Sequence, residues 1–325
     1  MKAKKVLAMV MVSALAVGMA TTVSAADVTL KLAHADAEGS IFDQGAVAFQ
    51  EKLEELSGGS MKVELYRNGT MGSLSEVAEA IQMGTIDIAP IVTTTLANFV
   101  PELNVFDLPF LMDDYEMAYK VLDGEVGEKL AESLEASSFK VGGWWSMGFR
   151  NTTASKEVKN VEDFEGLKIR TQSSDIQMAI FDALGANPTA ISFSELYTAL
   201  QQKTVDAQEN PYVNILQSNI FEVNDYLIET EHVFQVASLL ISPSTYDELT
   251  DEQKGWVDEA AEYATEIERK VCEEDNEKAK ETLINEKGMK LVELDKEELR
   301  AATESVYEEY SDYADMVEQI RSSAE

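Results

Sequence analysis

The sequence predicts an α/β protein of two lobes, each a mostly parallel sheet flanked by helices. Three observations predict it. Apolar alternation of strand type recurs between stretches of helical periodicity, first over residues 28–92 and again from residue 164. The segment "SEVAEAIQMGTID" (Ser75 to Asp87) overlies "SELYTALQQKTVD" (Ser194 to Asp206), with Ser, Glu, Ala, Gln, Thr and Asp identical. Finally, roughly 300 residues after an N-terminal leader exceed one ordinary core. Strands separated by helices pair in parallel, because each return crossover needs room for a helix.

The elements follow in order. Val28 to Ala33 reads as a strand, Ile41 to Leu56 as an amphipathic helix ended by Gly58-Gly59, and Met61 to Tyr66 as a second strand. Ser75 to Met83 is a short helix, Thr85 to Val92 a strand, and Val141 to Ser146 a strand-like apolar run before Gly148. The second lobe repeats the grammar: strand 167–171, helix 173–184 closed by Gly185, strand near 188–192, helix 194–202 and strand 204–208. A true repeat explains the shared "T-apolar-D" exit; two unrelated amphipathic helices, each with a capping Ser, are the alternative. Thr250 with Gln253 forms a capping box that opens a helix to about Glu286, with Trp256, Val257, Ala260, Tyr263 and Ile267 as its apolar stripe. After Gly288, Met289 to Leu294 reads as a strand and Asp295 caps a final helix.

Residues 1–25 read as a signal peptide: Lys2, Lys4 and Lys5 precede an apolar run, and Val23-Ser24-Ala25 is a small-residue cleavage site. The mature chain is expected outside the cytoplasm, without a lipid anchor and without direct membrane insertion. Removing the leader's three lysines leaves 23 basic residues against 60 acidic ones, a charge of −37. Such a balance excludes nucleic acid and anionic membrane surfaces as partners. Cys272 is the sole cysteine, so no intrachain disulfide forms, and two histidines, His34 and His232, give no zinc spacing. No cofactor and no metal is expected.

In open α/β sheets ligands bind beyond the carboxyl ends of strands. Arg170 ends the strand of "FEGLKIRTQ", where its parallel donors match a carboxylate; an ordinary ion pair with one of the many acids is the alternative. Arg150, in "GFRNTTASK", lies where the chain crosses between lobes and is either a second oxygen ligand or half of a hinge ion pair. "QENP" places Glu209 and Asn210 at another strand end, with Asn210 held extended by the following proline. Phe193 is a candidate pocket wall, with core burial the alternative, and His34 is ambiguous in the same way. Ser173 and Gln172 add hydroxyl and amide partners. No nucleophile elbow, H-E-x-x-H, phosphate loop or dinucleotide fingerprint is present, so no catalytic residue is assigned.

At these residues the chain resembles the solute-binding subunit of tripartite ATP-independent periplasmic (TRAP) transporters, the DctP-like family. "GFRNTTASK", "FEGLKIRTQ", "ALGANPTAISFSELYTALQQKTVDAQENP" and "KLAHA" carry the resemblance, which spans essentially the whole mature chain. It implies a periplasmic-binding-protein-like fold with hinge strands and a long C-terminal helix spanning both lobes, closing on a small organic-acid anion. With this topology lobe one takes residues 26–147 plus about 233–270, and lobe two 148–232 plus about 271–325. The resemblance makes Arg170 the main carboxylate clamp, Arg150 and Asn210 further contacts, and Phe193 an aromatic near the solute. It implies membrane permease subunits as partners. The chain departs from the family pattern at Thr171-Gln172 and at Ala207. C4-dicarboxylates and sugar acids such as uronates both suit a carboxylate clamp; Gln172, Ser173, Glu209 and Asn210 favour a hydroxylated acid. The competing classes are an exported two-lobe enzyme acting on a small organic acid and an acidic interaction protein without a small ligand.

Overall fold

The computed structural model describes residues 28–324, so the signal peptide read over residues 1–25 lies outside the described residues. The first half runs β1 (Val28–Ala33), α1 (Ile41–Leu56), β2 (Met61–Tyr66), α2 (Leu74–Gln82), β3 (Ile88–Val92), α3 (Thr93–Leu96), α4 (Tyr115–Leu122), α5 (Glu125–Ala136) and β4 (Lys140–Ala154). The second runs β5 (Lys168–Thr171), α6 (Asp175–Ala183), β6 (Asn187–Ala190), α7 (Phe193–Gln201), β7 (Ala207–Asn210), α8 (Tyr212–Gln217) and β8 (Tyr226–Ile241). Then come α9 (Pro243–Glu248), α10 (Asp251–Asn285), β9 (Lys290–Glu293), α11 (Lys296–Ala302), α12 (Glu304–Glu309) and α13 (Ala314–Ala324).

One continuous sheet holds the strands in the order β2-β1-β3-β8-β4-β7-β5-β6, with β9 beside β8. The two ends mirror one another: β1 lies parallel between β2 and β3, and β5 lies parallel between β6 and β7. The repeat is structural. Helices α2 and α7 are both nine residues long, and each is preceded by a serine, Ser73 or Ser192, that bonds a glutamate three residues on. The capping serines thus lie two residues before Ser75 and Ser194, in both copies. Asp87 and Asp206 then donate their backbone N–H groups to Lys31 and Lys168, the matching residues of β1 and β5.

The centre is where sequence and structure differ. Strand β4 does not stop near Ser146 but continues to Ala154, and β8, which the alternation rule did not single out, pairs antiparallel with it from Ile241 to Tyr226. The polar run Arg150-Asn151-Thr152-Thr153, expected only as the place where the chain crosses between lobes, lies within β4 with all four side chains buried. Register shifts fall at Ser146/Gly148 and Arg150/Thr152, with Gly148 at φ +87°. A Cβ there would meet the Tyr115 hydroxyl at 2.6 Å and the Asn276 amide nitrogen at 2.7 Å, so the bend requires glycine.

Apolar side chains form two cores, one on each side of the sheet. One packs α2 to α6 and the C-terminal helices, and the other packs α1, α7, α8 and α10. The capping box of Thr250 and Gln253 opens α10, and Gly288, at φ +75°, follows its end. Its buried stripe is Val257, Ala260, Ala261, Ala264, Glu268, Cys272, Asn276, Ala279 and Leu283, whereas Tyr263 is exposed. Small residues face inward because α1 lies so close that a Cβ on Gly45 would touch Trp145 at 2.8 Å and Glu268 at 3.0 Å. The final helix expected after Asp295 is broken into three at Thr303 and Tyr310, whose dihedrals leave the helical region.

Glu268 is a buried carboxylate that accepts from the Ser146 backbone N–H at 3.2 and 3.3 Å. Burial raises its pKa well above the ordinary glutamate value, against the opposing Ser146 bond and Arg269 charge. A raised acid holds its proton in the folded state after the unfolded chain has released it, so its effect is absent at pH below the ordinary value and costs stability as pH rises beyond it. Glu268→Gln is therefore expected to raise the melting temperature at pH 8 and to leave it nearly unchanged at pH 4, as calorimetric scans at the two pH values would measure. An equal shift at both would refute the assignment.

Candidate functional site

Strand β7 lies between β4 and β5, and this order gathers the two arginines. Asn151 pairs with Asn210 and Thr152 with Glu209 on one side, and Arg170 pairs with Gln208 on the other. Both guanidiniums are 2% exposed.

Arg150 is fully engaged. Its Nε donates to Glu209 Oε2, and its Nη2 donates to Glu209 Oε1 and to the Glu209 carbonyl, both at 2.8 Å. Nη2 also reaches Asn210 Oδ1 at 3.3 Å, and Nη1 donates to Gln235 Oε1 at 2.7 Å. His232 Nε2 lies 3.3 Å from Glu209 Oε2, while its Nδ1 meets Thr230 Oγ1 at 2.9 Å. Burial alone would raise the Glu209 pKa; Arg150 and His232 outweigh it and hold the carboxyl down at about 2. Glu209 is thus ionised, and its carboxylate pairs with Arg150.

Arg170 is held differently. Its Nε donates to the Ile191 carbonyl at 2.8 Å, and its buried Nη1 has no partner. Burial lowers its pKa to about 10, with Glu209 raising it and Arg150 lowering it, so the group stays charged at neutral pH. The Gln172 amide, turned with its oxygen towards Arg150, accepts from Nη2 at 3.0 Å. Asn210 Nδ2 donates to Gln208 Oε1 at 2.5 Å, and Gln208 Nε2 to Thr153 Oγ1 at 2.9 Å. Amides therefore border the Arg150 guanidinium.

The remaining expected residues fall elsewhere or differently. Phe193 opens α7 two residues beyond the carbonyl that holds Arg170, and it is 47% exposed, which rules out the core-burial alternative. Ser173 is exposed, and no hydrogen bond of its side chain is seen; its neighbour Ser174 caps α6 instead. His34 is buried after β1 and belongs to a separate cluster: its Nε2 lies 3.2 Å from Asp43 Oδ1, which also accepts from Arg67 Nε at 2.6 Å. Burial lowers the His34 pKa against the pull of Asp43.

Four contributors escaped sequence reasoning. Asp107, 1% exposed, accepts from Thr94 Oγ1 and Gln177 Nε2, each at 3.0 Å, and from Ser174 Oγ at 2.7 Å. It thereby ties the first half of the chain to the start of α6. Burial raises its pKa despite those three donors. Gln235 and His232 belong to the unanticipated β8, whose apolar run Val233 to Ile241 was the available signal; for Asp107 and Thr94 the letters carry none. Among the described residues no group of three or more His, Cys, Asp or Glu is placed to hold a metal.

The chain as a whole is similar to known proteins. The 2,3-diketo-L-gulonate-binding periplasmic protein YiaO of Escherichia coli is 36% identical over 72% of this chain and 71% of its own. The C4-dicarboxylate-binding periplasmic protein DctP of Rhodobacter capsulatus is 33% identical over 92% and 90%. A TRAP periplasmic solute-binding protein from Polaromonas, solved with bound D-erythronate, superposes with a TM-score of 0.85 at 34% identity, covering 90% of this chain and 98% of that one. The family description "bacterial extracellular solute-binding protein, family 7" matches residues 32–315, and the chain belongs to that family, DctP.

Proposed function

We propose that this protein is the exported receptor of a TRAP transporter, and that it captures a carboxylate-bearing organic acid between its two lobes with Arg170 as the carboxylate anchor. One observation carries the reading: a guanidinium 2% exposed whose Nη1 has no partner, in a chain with a large excess of acids. A buried charge without a counterion is expensive, and a solute carboxylate supplies both the charge and the acceptors. Arg150 positions: it locks Glu209 and holds the Asn210 and Gln172 amides. Phe193 walls the entrance. The lobes divide at 147/148 and 232/233, a reading supported by the bend at Gly148 and by the positive φ of Glu231. Closure then follows from contacts that both lobes make to the solute only when shut.

The acids named for the relatives, a sugar-acid derivative, a C4-dicarboxylate and an aldonate, all carry the carboxylate this anchor would take. The leader read over residues 1–25 would deliver the chain across the membrane. No helix among the described residues is long and apolar enough to cross one. Membrane permease subunits would receive the solute. A thermal-shift screen of residues 26–325 against C4-dicarboxylates, uronates, aldonates, sialic acid and small keto acids tests the reading. A bound acid at 100 times its Kd stabilises the protein by about 2.7 kcal/mol. No shift with any carboxylate, in protein freed of carried-over ligand, would overturn it.

A further inference from the structure

The outer strands stop short of each other along β4. Val92, the end of β3, pairs with Ala237, which is level with Trp145, whereas Asn210, the end of β7, is level with Asn151. Six residues of strand (145 to 151), roughly 20 Å, separate the two levels. Strand β3 runs with β4, and β7 and β5 run against it, so the ends of β3 and β5 point towards each other. One contact closes across this interval. On the β3 side Thr94 follows the strand, and the 3-10 helix Pro101–Asp107 brings Asp107 beside it. On the β5 side α6 begins, capped by Ser174. The Ser174 hydroxyl gives its one proton to Asp107 Oδ2, and the same oxygen accepts from the Gln177 backbone N–H at 3.2 Å. The Gln177 side chain is buried with its Oε1 unpartnered, and its amide nitrogen is held by Asp107. The contact is joined to the arginine pair, because Thr94 Oγ1 accepts from Gln235 Nε2 at 3.4 Å and Gln235 Oε1 accepts from Arg150.

We infer that Asp107 is a positioning residue for solute capture: without touching the solute, it fastens α6 to the first half of the chain in the closed receptor and sets how long the solute is held. The inference rests on the two-lobe division proposed above, which puts Thr94 and Asp107 in lobe one and Ser174 and Gln177 in lobe two. Both Asp107 oxygens are taken by those donors and the residue is sealed from solvent, which leaves nothing for a solute to meet. Opening returns the carboxylate and its donors to water, so the latch contributes only what charge-assisted bonds gain over hydration. The Asp107 charge also stands at the positive end of α6. A contact made only in the shut state multiplies the closing equilibrium and the apparent affinity by the same factor. Because it forms after the encounter, that factor falls on koff.

The test reads closure and binding separately. Spin labels on Lys62→Cys and Asn187→Cys, exposed in the outermost strands β2 and β6, report the lobe separation by double electron–electron resonance, while Cys272 is buried away from the label. Residues 26–325 are titrated with the acids of the thermal-shift screen. An acid that binds is expected to shorten the distance. Asp107→Asn turns one acceptor oxygen into an amide donor facing Ser174 or Gln177, and should raise the half-closing concentration of that acid roughly 10- to 100-fold. Stopped-flow fluorescence should place the change in koff, with kon within about 3-fold of wild type. The rank order of the acids should not move. Gln177→Leu keeps the Ser174 and Thr94 bonds and should lose less, and the two substitutions together should cost less than their sum. Half-closing concentrations near wild type for both variants would overturn the latch and leave the receptor reading standing. So would a loss carried by kon, or one that differs from acid to acid. An acid that binds by calorimetry without moving the labels would overturn closure and the latch with it, whereas binding of none would overturn the receptor reading itself.

Discussion

Replacing Arg170 by alanine is expected to weaken solute binding by about 2–4 kcal/mol, roughly 30- to 1,000-fold in Kd, the cost of removing one partner of a buried charge pair. The physical reason lies in the free protein. Arg170 is already desolvated, tied through Nε to the Ile191 carbonyl, with Nη1 unpartnered. The orientation and dehydration of the cation are thus completed during folding, and the solute gains the charge-assisted bonds without meeting those costs at the moment of binding. Arg170→Lys should recover little, since an ammonium offers no parallel fork. Arg170→Met provides the control: deleting an unpaired buried charge should leave the ligand-free protein as stable as the wild type or more so, while binding is lost. Calorimetry that returns an unchanged Kd for Arg170→Ala would remove this residue from the site.

The second large effect is on stability. Glu209→Ala leaves the Arg150 guanidinium buried beside Gln235 and Asn210 without its carboxylate, a change expected to destabilise the fold by about 3–5 kcal/mol. For a chain of this size each kcal/mol lowers the melting temperature by about 2–4 °C, so the loss should exceed roughly 6 °C. The same pair predicts an acid limb. The Glu209 pKa is depressed to about 2 in the folded state, against 4.5 for an ordinary glutamate. A depressed carboxylate contributes stability that is fully present above its unfolded value and is lost as pH falls through its folded value. Wild-type stability should therefore decline from pH 4.5 towards 2, and Glu209→Gln should flatten that limb while lowering the plateau above it. Melting temperatures that fall in parallel for both proteins across this window would show that Glu209 is not the titrating group.

Much of the fold was legible because the local rules agree with each other. Alternation and the "T-apolar-D" exit located both copies of the repeat, and the copies fall on α2 and α7 with the turns that lead into β3 and β7. The central strands were less legible for a physical reason. Both faces of β4 are covered from Trp144 onward, so its polar residues do not alternate with apolar ones and the strand's second half gave no periodic signal. Their partners, chiefly Glu209, Asn224 and Thr230, lie 59 to 78 residues away, beyond any periodicity. Arg170 stands out in the sequence because a strand end, a scarce charge type and an open-sheet topology converge on it, and the structure buries it there. That Arg150 pairs with Glu209 could not be read, since the two meet only through the β4–β7 register. Asp107 was invisible: one acid among 60, distinguished only by the α6 serine and glutamine that meet it.

The central claim is that Arg170 receives the solute carboxylate while Arg150 remains bound to Glu209. A crystal structure of residues 26–325 with a bound aldonate tests it most directly. A carboxylate oxygen is expected about 2.7–2.9 Å from Arg170 Nη1, the distance of a charge-assisted bond, with both Arg150 bonds to the Glu209 carboxylate retained. A carboxylate seated on Arg150, with Glu209 displaced and Arg170 Nη1 still without a partner, would contradict it.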